Sequence, residues 1–235
     1  MSAPGAPRLA VVGTGKMGRA VAQLAAERGW PVVATIGRGD AITRESLAGA
    51  DVAIEFTEPA AAEANVRACI VAGCPVVVGT TGWFDALPAV TRDAERAGAR
   101  LLWAANFSVG VQLFVRLAAE TGRLMRATTF DAHLVETHHS AKKDAPSGTA
   151  IVLARAASET LTRDVAITSV RTGHVPGTHE LIFDGPFEQL RLVHEARDRR
   201  VFADGALVAA RWLASPRAAG AYTMQDVLSS EATTT

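Results

Sequence analysis

Cysteine is scarce in this sequence: the chain has only two, Cys69 and Cys74, five residues apart. Two such neighbours cannot build the disulfide framework of a small secreted protein, so we expect reduced thiols and a cytoplasmic location. Long apolar runs are missing as well, because none reaches the roughly 18 residues that a membrane-spanning helix needs. The first ten residues also lack the charged start and apolar core of a secretory signal. These absences predict a soluble protein that is not exported.

An excess of either charge is also absent, because 24 lysines and arginines balance 24 aspartates and glutamates. No overall field would attract nucleic acid or an anionic membrane, so any anion-binding site has to be local. We found no internal repeat and no low-complexity tract. At 235 residues the chain can form one large domain or two modest ones with real cores. We expect two domains.

The first 107 residues alternate short apolar runs with amphipathic segments. The runs at 9–12, 31–36, 50–56, 75–78 and 101–105 are predicted strands, and the segments between them include predicted helices. Strands that alternate with helices are typical of an α/β fold with a parallel sheet. We therefore expect a Rossmann-like, doubly wound parallel sheet, with ligand-binding loops at the carboxyl ends of its strands.

A glycine-rich turn, GTGKMG at 13–18, follows the first predicted strand and leads into a predicted helix at 19–28. Its glycines Gly13, Gly15 and Gly18 match the pattern G-x-G-x-x-G. Gly15 would let the backbone approach a pyrophosphate, Gly18 would allow close helix packing, and the helix start supplies amides and positive potential. The order strand, turn, helix favours dinucleotide binding over a simple tight turn. The loop GTTG at 79–82 follows a later strand, and its small residues would let the backbone lie close to the same cofactor.

The loop after the second predicted strand bears on cofactor choice. An acidic residue usually binds the ribose of NAD at this position, but here the chain has Gly37 and Arg38. Arg38 can pair with the 2′-phosphate of NADP, and Asp40, slightly beyond, could instead bind the ribose. A solvated arginine without either role is an equal alternative. We expect NADPH to be accepted at least as well as NADH.

The stretch ETHHSAKKDAPSGTA at 136–150 concentrates proton-handling side chains beside a turn. A strand predicted at 129–137 ends at His138 and His139, whose side chains should point to opposite faces. Adjacent histidines on a strand cannot easily share one ion, so we expect no metal site. Taken alone, the stretch is either a catalytic loop or a polar surface turn.

The end of this stretch predicts a helix start. Pro146 favours an extended residue before it, and Ser147 is a good N-cap. The amides of Gly148 and Thr149 would then lie in the first helical turn, where backbone N–H groups and the helix dipole favour an anion. A carboxylate would suit that position.

Strands with few helices between them characterise the remaining sequence. After a helix predicted at 111–125, strands are predicted at 129–137, 165–171, 179–183 and 188–196. Short connections between consecutive strands indicate a second, α+β domain with an open mixed sheet that is largely antiparallel. An apolar helix at 206–213, and a polar tail after the segment YTMQDVL at 222–228, complete the prediction.

The motifs GTGKMG, GTTG, NFSVG and ETHHSAKKDAPSGTA, in this order, resemble the dihydrodipicolinate reductase family of the diaminopimelate and lysine pathway. The resemblance spans nearly the whole chain, because RTGHVPGTHELIF, FADGALVAARWL and YTMQDVL also fit. It implies reduction of 4-hydroxy-tetrahydrodipicolinate, a small dicarboxylate, to tetrahydrodipicolinate with NADPH or NADH. It also implies a dinucleotide-binding domain at 1–107, to which 200–235 returns, and a substrate-binding domain at 108–199 that builds a homotetramer.

The resemblance also implies roles for individual residues. His138 corresponds to the proton donor and Lys142 to a second catalytic residue, while His139, Gly148 and Thr149 correspond to contacts with a substrate carboxylate. The cofactor-binding residues, with Arg38 added from the second loop, would be Gly13, Thr14, Gly15, Lys16, Met17, Gly18, Gly79, Thr80, Thr81, Ala104, Ala105, Asn106 and Phe107. The chain departs from the family in a shorter first glycine loop and in the missing acidic residue after the second strand.

Two other functions fit parts of the sequence. One is another two-domain dehydrogenase, such as an amino-acid dehydrogenase, but the complete 136–150 stretch argues against it. The other is a non-catalytic NADP-binding sensor, which the presence of both His138 and Lys142 disfavours. Glu136 either orients the histidines or forms a salt bridge with a lysine.

Overall fold

The computed structural model describes residues 5–231, which form seven α-helices and ten strands. In chain order they are β1 (Leu9–Val12), α1 (Lys16–Glu27), β2 (Val32–Ile36), β3 (Val52–Glu55), α2 (Pro59–Val71), β4 (Val76–Val78), α3 (Leu87–Arg96, after a short 3₁₀ turn), β5 (Arg100–Trp103), α4 (Val109–Met125), β6 (Asp131–His138), α5 (Gly148–Leu161), β7 (Ala166–Arg171), β8 (Thr178–Asp184), β9 (Gln189–Glu195), α6 (Arg200–Ala214), β10 (Gly220–Tyr222) and α7 (Met224–Glu231).

The chain divides into two units. Unit 1 consists of the residues up to Phe107 together with those from Phe202 onward, and unit 2 consists of Ser108–Val201. None of the helices within residues 5–231 has the length and apolar character required to span a bilayer.

Unit 1 contains a six-stranded sheet in the order β10-β5-β4-β3-β1-β2. Every neighbouring pair is parallel, so the loops after the strands emerge at one edge of the sheet. Strands β1, β3 and β4 are buried along their whole lengths, which explains why their sequences show no apolar–polar alternation. The predicted Rossmann-like sheet is confirmed.

Unit 2 contains a four-stranded sheet in the order β7-β6-β8-β9. Strands β6 and β7 are parallel, whereas β6/β8 and β8/β9 are antiparallel, so the predicted mixed sheet is confirmed. Residues of α4 and α5 form a core with one face of this sheet, including Phe114, Leu153, Leu134 and Leu181. On the opposite face Val193 is 57% exposed.

The sequence analysis assigned no strand or helix between the apolar helix at 206–213 and the polar tail predicted after residue 228. The chain there forms β10, which pairs with β5 at the edge of the first sheet, and then α7. Met224 and Val227 of α7 are buried. A three-residue strand is too short to produce a periodic pattern, and only its pairing with β5 defines it. Residues 1–4 and 232–235 lie outside the described part of the chain.

Candidate active site

The glycine loop connects β1 to α1 at the ligand-binding edge of the first sheet. A Cβ on Gly13, whose φ is +109°, would lie 2.0 Å from the carbonyl oxygen of Phe56. A Cβ on Gly18 would lie 1.8 Å from the carbonyl oxygen of Gly13. Neither position therefore tolerates a side chain. A Cβ on Gly15 would meet no atom within 4 Å, because Gly15 borders an open cleft.

Two adjoining cavities border this loop. The larger, of about 590 Å³, brings together predicted residues from three separate loops: Gly15, Lys16, Met17, Gly79, Thr80, Thr81, Ala105, Asn106 and Phe107. The smaller, of about 250 Å³, contains the predicted residues Gly13, Thr14, Gly15 and Arg38. Of the predicted cofactor residues, only Gly18 and Ala104 line neither cavity. Gly18 packs beneath the turn, and Ala104 is buried.

The start of α1 has the properties of an anion site. Its N-cap residue, Gly15, provides no side-chain hydrogen bond, and its first turn contains no acidic residue. The unpaired amides and positive potential of a helix start stabilise a phosphate group placed there. The open space beside Gly15 lies at this helix start, so the residues present fit the pyrophosphate of a dinucleotide.

Arg38 has a partner that the sequence analysis did not identify. Its guanidinium lies 2.9 Å from a carboxylate oxygen of Glu58, and both side chains are exposed, at 86% and 53%. The carboxylate of Asp40 accepts a hydrogen bond of 2.8 Å from the backbone N–H of Gly37. Arg38, Asp40 and Glu58 all line the smaller cavity.

Glu136 is the central residue of a buried network in unit 2. It lies on β6 with 0% exposure, and Arg171 at the end of β7 holds its carboxylate through two hydrogen bonds of 2.7 and 2.9 Å. Burial raises the pKa of Glu136, but hydrogen bonds, first from Arg171 and then from Ser169 and His138, outweigh it and bring the pKa to about 2. Glu136 is therefore an ionised acceptor at neutral pH. The alternative of a salt bridge with a lysine was wrong, because the cation is Arg171.

His138 is oriented by this carboxylate. Because an ionised carboxylate can only accept, the Nδ1–H of His138 donates to Glu136. The other nitrogen, Nε2, faces Gly177, where a Cβ would lie 3.0 Å from it. Burial lowers the pKa of His138, and the carboxylate of Glu136 opposes that change. The geometry fixes one nitrogen and leaves Nε2 as the position for proton exchange.

The start of α5 is attached to the same network. The backbone N–H of Ser147 donates to Glu136 at 3.2 Å, and its hydroxyl accepts from the N–H of Ala150, so Ser147 is the N-cap as predicted. The Ser147 hydroxyl also shares a 3.2 Å hydrogen bond with Nε2 of His179. Burial, and then the nearby His138, lower the pKa of His179 to about 4, so it is neutral at pH 7. Gly148 and Thr149 occupy the first two positions of α5.

Lys142 and His139 lie elsewhere on the loop. The ammonium of Lys142 lies 2.8 Å from both carboxylate oxygens of Asp144. His139 borders a cavity of about 470 Å³ together with His174 and Arg199, and Arg199 lies 3.2 Å from Nε2 of His139. This cavity does not include Gly148 or Thr149. As predicted, His138 and His139 are directed differently, since His138 is buried in the carboxylate network.

Residues 5–231 contain no group of three or more histidine, cysteine, aspartate or glutamate side chains able to hold a metal ion.

An open cleft at a glycine turn in one unit and a carboxylate-oriented histidine in the other fit a reductase that uses a nicotinamide cofactor. Comparison of the sequence with protein families identifies the kind of reductase. The family model described as "Dihydrodipicolinate reductase, N-terminus" matches residues 7–107. The model described as "Dihydrodipicolinate reductase, C-terminus" matches residues 110–228. The chain therefore belongs to the dihydrodipicolinate reductase family, and the expected family and enzyme class are confirmed.

Individual relatives agree with this assignment. The 4-hydroxy-tetrahydrodipicolinate reductase of Acidiphilium cryptum (strain JF-5) is 39% identical over 247 residues, covering 94% of this chain and 97% of the relative. The enzyme of the same name from Gluconobacter oxydans (strain 621H) is 40% identical over 251 residues, covering 95% and 97%. A dipicolinate-bound dihydrodipicolinate reductase from Paenisporosarcina sp. TG-14 superposes with a TM-score of 0.76 at 21% identity, covering 92% and 97%. This structure supports the fold alone.

Proposed function

We propose that this chain reduces 4-hydroxy-tetrahydrodipicolinate to tetrahydrodipicolinate with NADH or NADPH, as a step of lysine and diaminopimelate biosynthesis. The observation that carries the proposal is the ionised Glu136, which holds His138 in one tautomer at the start of the predicted catalytic loop. Two relatives that are 39% and 40% identical carry the name of this activity.

The cofactor-binding role falls to unit 1. The amides at the start of α1 and the side chain of Lys16 would hold the pyrophosphate of a bound dinucleotide, and the loops at Gly79–Thr81 and Ala105–Phe107 line the remaining length of the larger cavity. A bound nicotinamide supplies hydride. The surrounding small residues allow the backbone to lie close to the cofactor.

His138 supplies the proton that the reduced substrate requires. Its Nδ1–H stays on Glu136, so a doubly protonated ring donates from Nε2 and returns to the neutral form that the carboxylate has already oriented. General acid catalysis of this kind contributes typically ~10² to 10⁴-fold. Burial of His138 favours proton release by lowering its pKa, while Glu136 keeps the charged form accessible. Lys142 adds positive charge where negative charge develops.

Two positively polarised positions in unit 2 suit a dicarboxylate. The first is the start of α5, with Gly148 and Thr149, where helix amides favour an anion. The second is the cavity in which His139, His174 and Arg199 meet. Arg199 was missed by sequence reasoning because one arginine among several neighbouring charged residues carries no motif. We assign one substrate carboxylate to each position.

Thr149→Val should raise the Michaelis constant for the substrate. Loss of one hydrogen bond to a charged group costs about 1.5 to 3 kcal/mol, or roughly 10 to 150-fold. Steady-state kinetics would measure this constant, and Thr168→Val, at an exposed threonine on β7, is the matched control. An equal loss of affinity for the cofactor would instead assign Thr149 to the nucleotide.

The activity itself is tested with purified protein and both cofactors. The upstream condensation product is generated in the cuvette by its synthase, and oxidation of NADH or NADPH is followed by absorbance. Formation of tetrahydrodipicolinate with equal consumption of cofactor supports the proposal. Absence of turnover with both cofactors, in protein shown to be folded, contradicts it.

A homotetramer and a cytoplasmic location complete the proposal. Unit 2, which includes the predicted substrate-binding and oligomerisation domain at 108–199, has helices against one sheet face and the exposed Val193 on the other, as a subunit contact would require. Light scattering should give four times the mass of one chain, and Val193→Glu should reduce that mass. Both cysteines are free and buried, and burial raises the pKa of Cys74 to about 11, in keeping with reduced thiols.

A further inference from the structure

The smaller cavity of unit 1 carries an unusual balance of charge for a site expected to accept a phosphate. Its charged lining residues are Arg38, Asp40 and Glu58, one cation against two carboxylates. The one cation is already engaged by Glu58 at 2.9 Å. The nearby amide of Gly37 is engaged by Asp40 at 2.8 Å. These two groups, which could bind a 2′-phosphate, therefore already have anionic partners.

We propose that Glu58 makes this site selective for NADH over NADPH. The inference rests on the proposed function, since it concerns which nicotinamide dinucleotide that reductase uses. It reverses the preference expected from Arg38 alone. The carboxylate that the loop after β2 lacks at its tip is supplied by Glu58, in the loop after β3. Strands β2 and β3 both pair with β1, so their loops flank the glycine turn.

The ribose of NADH and that of NADPH present different groups to this cavity, a 2′-hydroxyl and a 2′-phosphate. A free 2′-hydroxyl can donate a hydrogen bond to a carboxylate such as Glu58 or Asp40. A doubly ionised 2′-phosphate can only accept, and it brings two negative charges towards two carboxylates. Arg38 could turn to the phosphate, because an exposed ion pair is weak and easily exchanged. The charge of Glu58 would still remain beside the phosphate.

The expected difference in affinity between NADH and NADPH depends on how exposed the charged groups are to water. One carboxylate about 6 Å from a doubly charged phosphate, in a water-like dielectric, corresponds to roughly a tenfold loss of affinity. Salt screens such an interaction, so the discrimination between the two cofactors should shrink as ionic strength rises. We therefore expect the parent protein to bind NADH roughly tenfold more tightly than NADPH at low salt.

The experiment measures dissociation constants, not turnover, by calorimetric titration of NADH and NADPH into the full chain. Glu58→Gln should tighten NADPH binding roughly tenfold and change NADH binding by less than about threefold. Glu63→Gln is the matched control, because Glu63 lies on α2, the helix that begins directly after Glu58, pairs with Arg67 at 2.9 Å and lines neither cavity. In the Arg38→Ala background, Glu58→Gln should still tighten NADPH binding roughly tenfold, because repulsion between the carboxylate and the phosphate does not require Arg38.

The outcomes separate this inference from the proposed function. If neither dinucleotide binds to folded protein, the function fails. If both bind equally and Glu58→Gln changes neither constant, the function stands and the role of Glu58 is refuted. Failure of Glu58→Gln to tighten NADPH binding in the Arg38→Ala background would also refute it, because a gain that requires the freed guanidinium would not come from the charge of Glu58 beside the phosphate.

Discussion

Replacing His138 by glutamine should lower turnover at least ~10²-fold, while folding and nucleotide binding stay nearly unchanged. Glutamine can still donate to Glu136, so the network keeps its shape, but it cannot release a proton at neutral pH. Lys142→Ala should reduce turnover to a similar extent, because the positive charge beside the reacting substrate is lost. The measurements are steady-state turnover, thermal melts and nucleotide titrations on each variant.

His133→Gln serves as the control for His138. His133 lies on the same strand, β6, but at an odd position, so its side chain points to the opposite sheet face. We expect its turnover to match that of the parent. Normal turnover in His138→Gln would remove His138 from the mechanism, and normal turnover in Lys142→Ala would do the same for Lys142.

Replacing Arg171 by alanine should lower the free energy of unfolding by about 3 to 5 kcal/mol. Arg171 makes two hydrogen bonds to the fully buried Glu136, and its removal leaves a buried carboxylate with much less compensation. Urea unfolding at pH 7 measures the loss. Arg155→Ala is the matched control, because Arg155 pairs with Glu159 at the surface of α5, where an exposed ion pair contributes little to stability.

The ion pair of Glu136 and Arg171 also predicts how the stability of the protein changes at low pH. The folded-state pKa of Glu136, about 2, lies below its ordinary value of 4.5, so its contribution to stability is present above pH 4.5. That contribution is lost as the pH falls from 4.5 towards 2. Arg171→Ala raises the pKa of Glu136 and should therefore shrink this part of the acid dependence. Destabilisation equal to that of Arg155→Ala would show that the buried pair contributes little.

Most of the fold was predictable from local sequence patterns. The buried strands of unit 1 have continuous apolar runs, and the glycine turn fixes the order of strand, loop and helix around Gly13 and Gly18. The start of α5 was likewise predictable, because Ser147 is a good N-cap residue at that position. Family membership then linked these motifs in one chain. These features were predictable because each depends on residues close together in sequence.

Contacts between distant segments were not predictable in the same way. Arg171 lies 35 residues beyond Glu136, and only the parallel pairing of β6 with β7 brings them together. His179 reaches Ser147 from β8, and Glu58 reaches Arg38 from a different loop. Each of these side chains is ordinary within its own stretch of sequence. Their roles follow from strand order and register, which local periodicity does not specify.

The edge strand β10 also sets the order in which the two units can be completed during synthesis. Unit 1 needs residues 220–222 to finish its sheet, and these are made after the whole of Ser108–Val201. All four strands of the second sheet are therefore available while the first sheet still lacks its last strand. A nascent chain would pass through a stage in which β5 has an open edge, and the late residues Gly220–Tyr222 cover it.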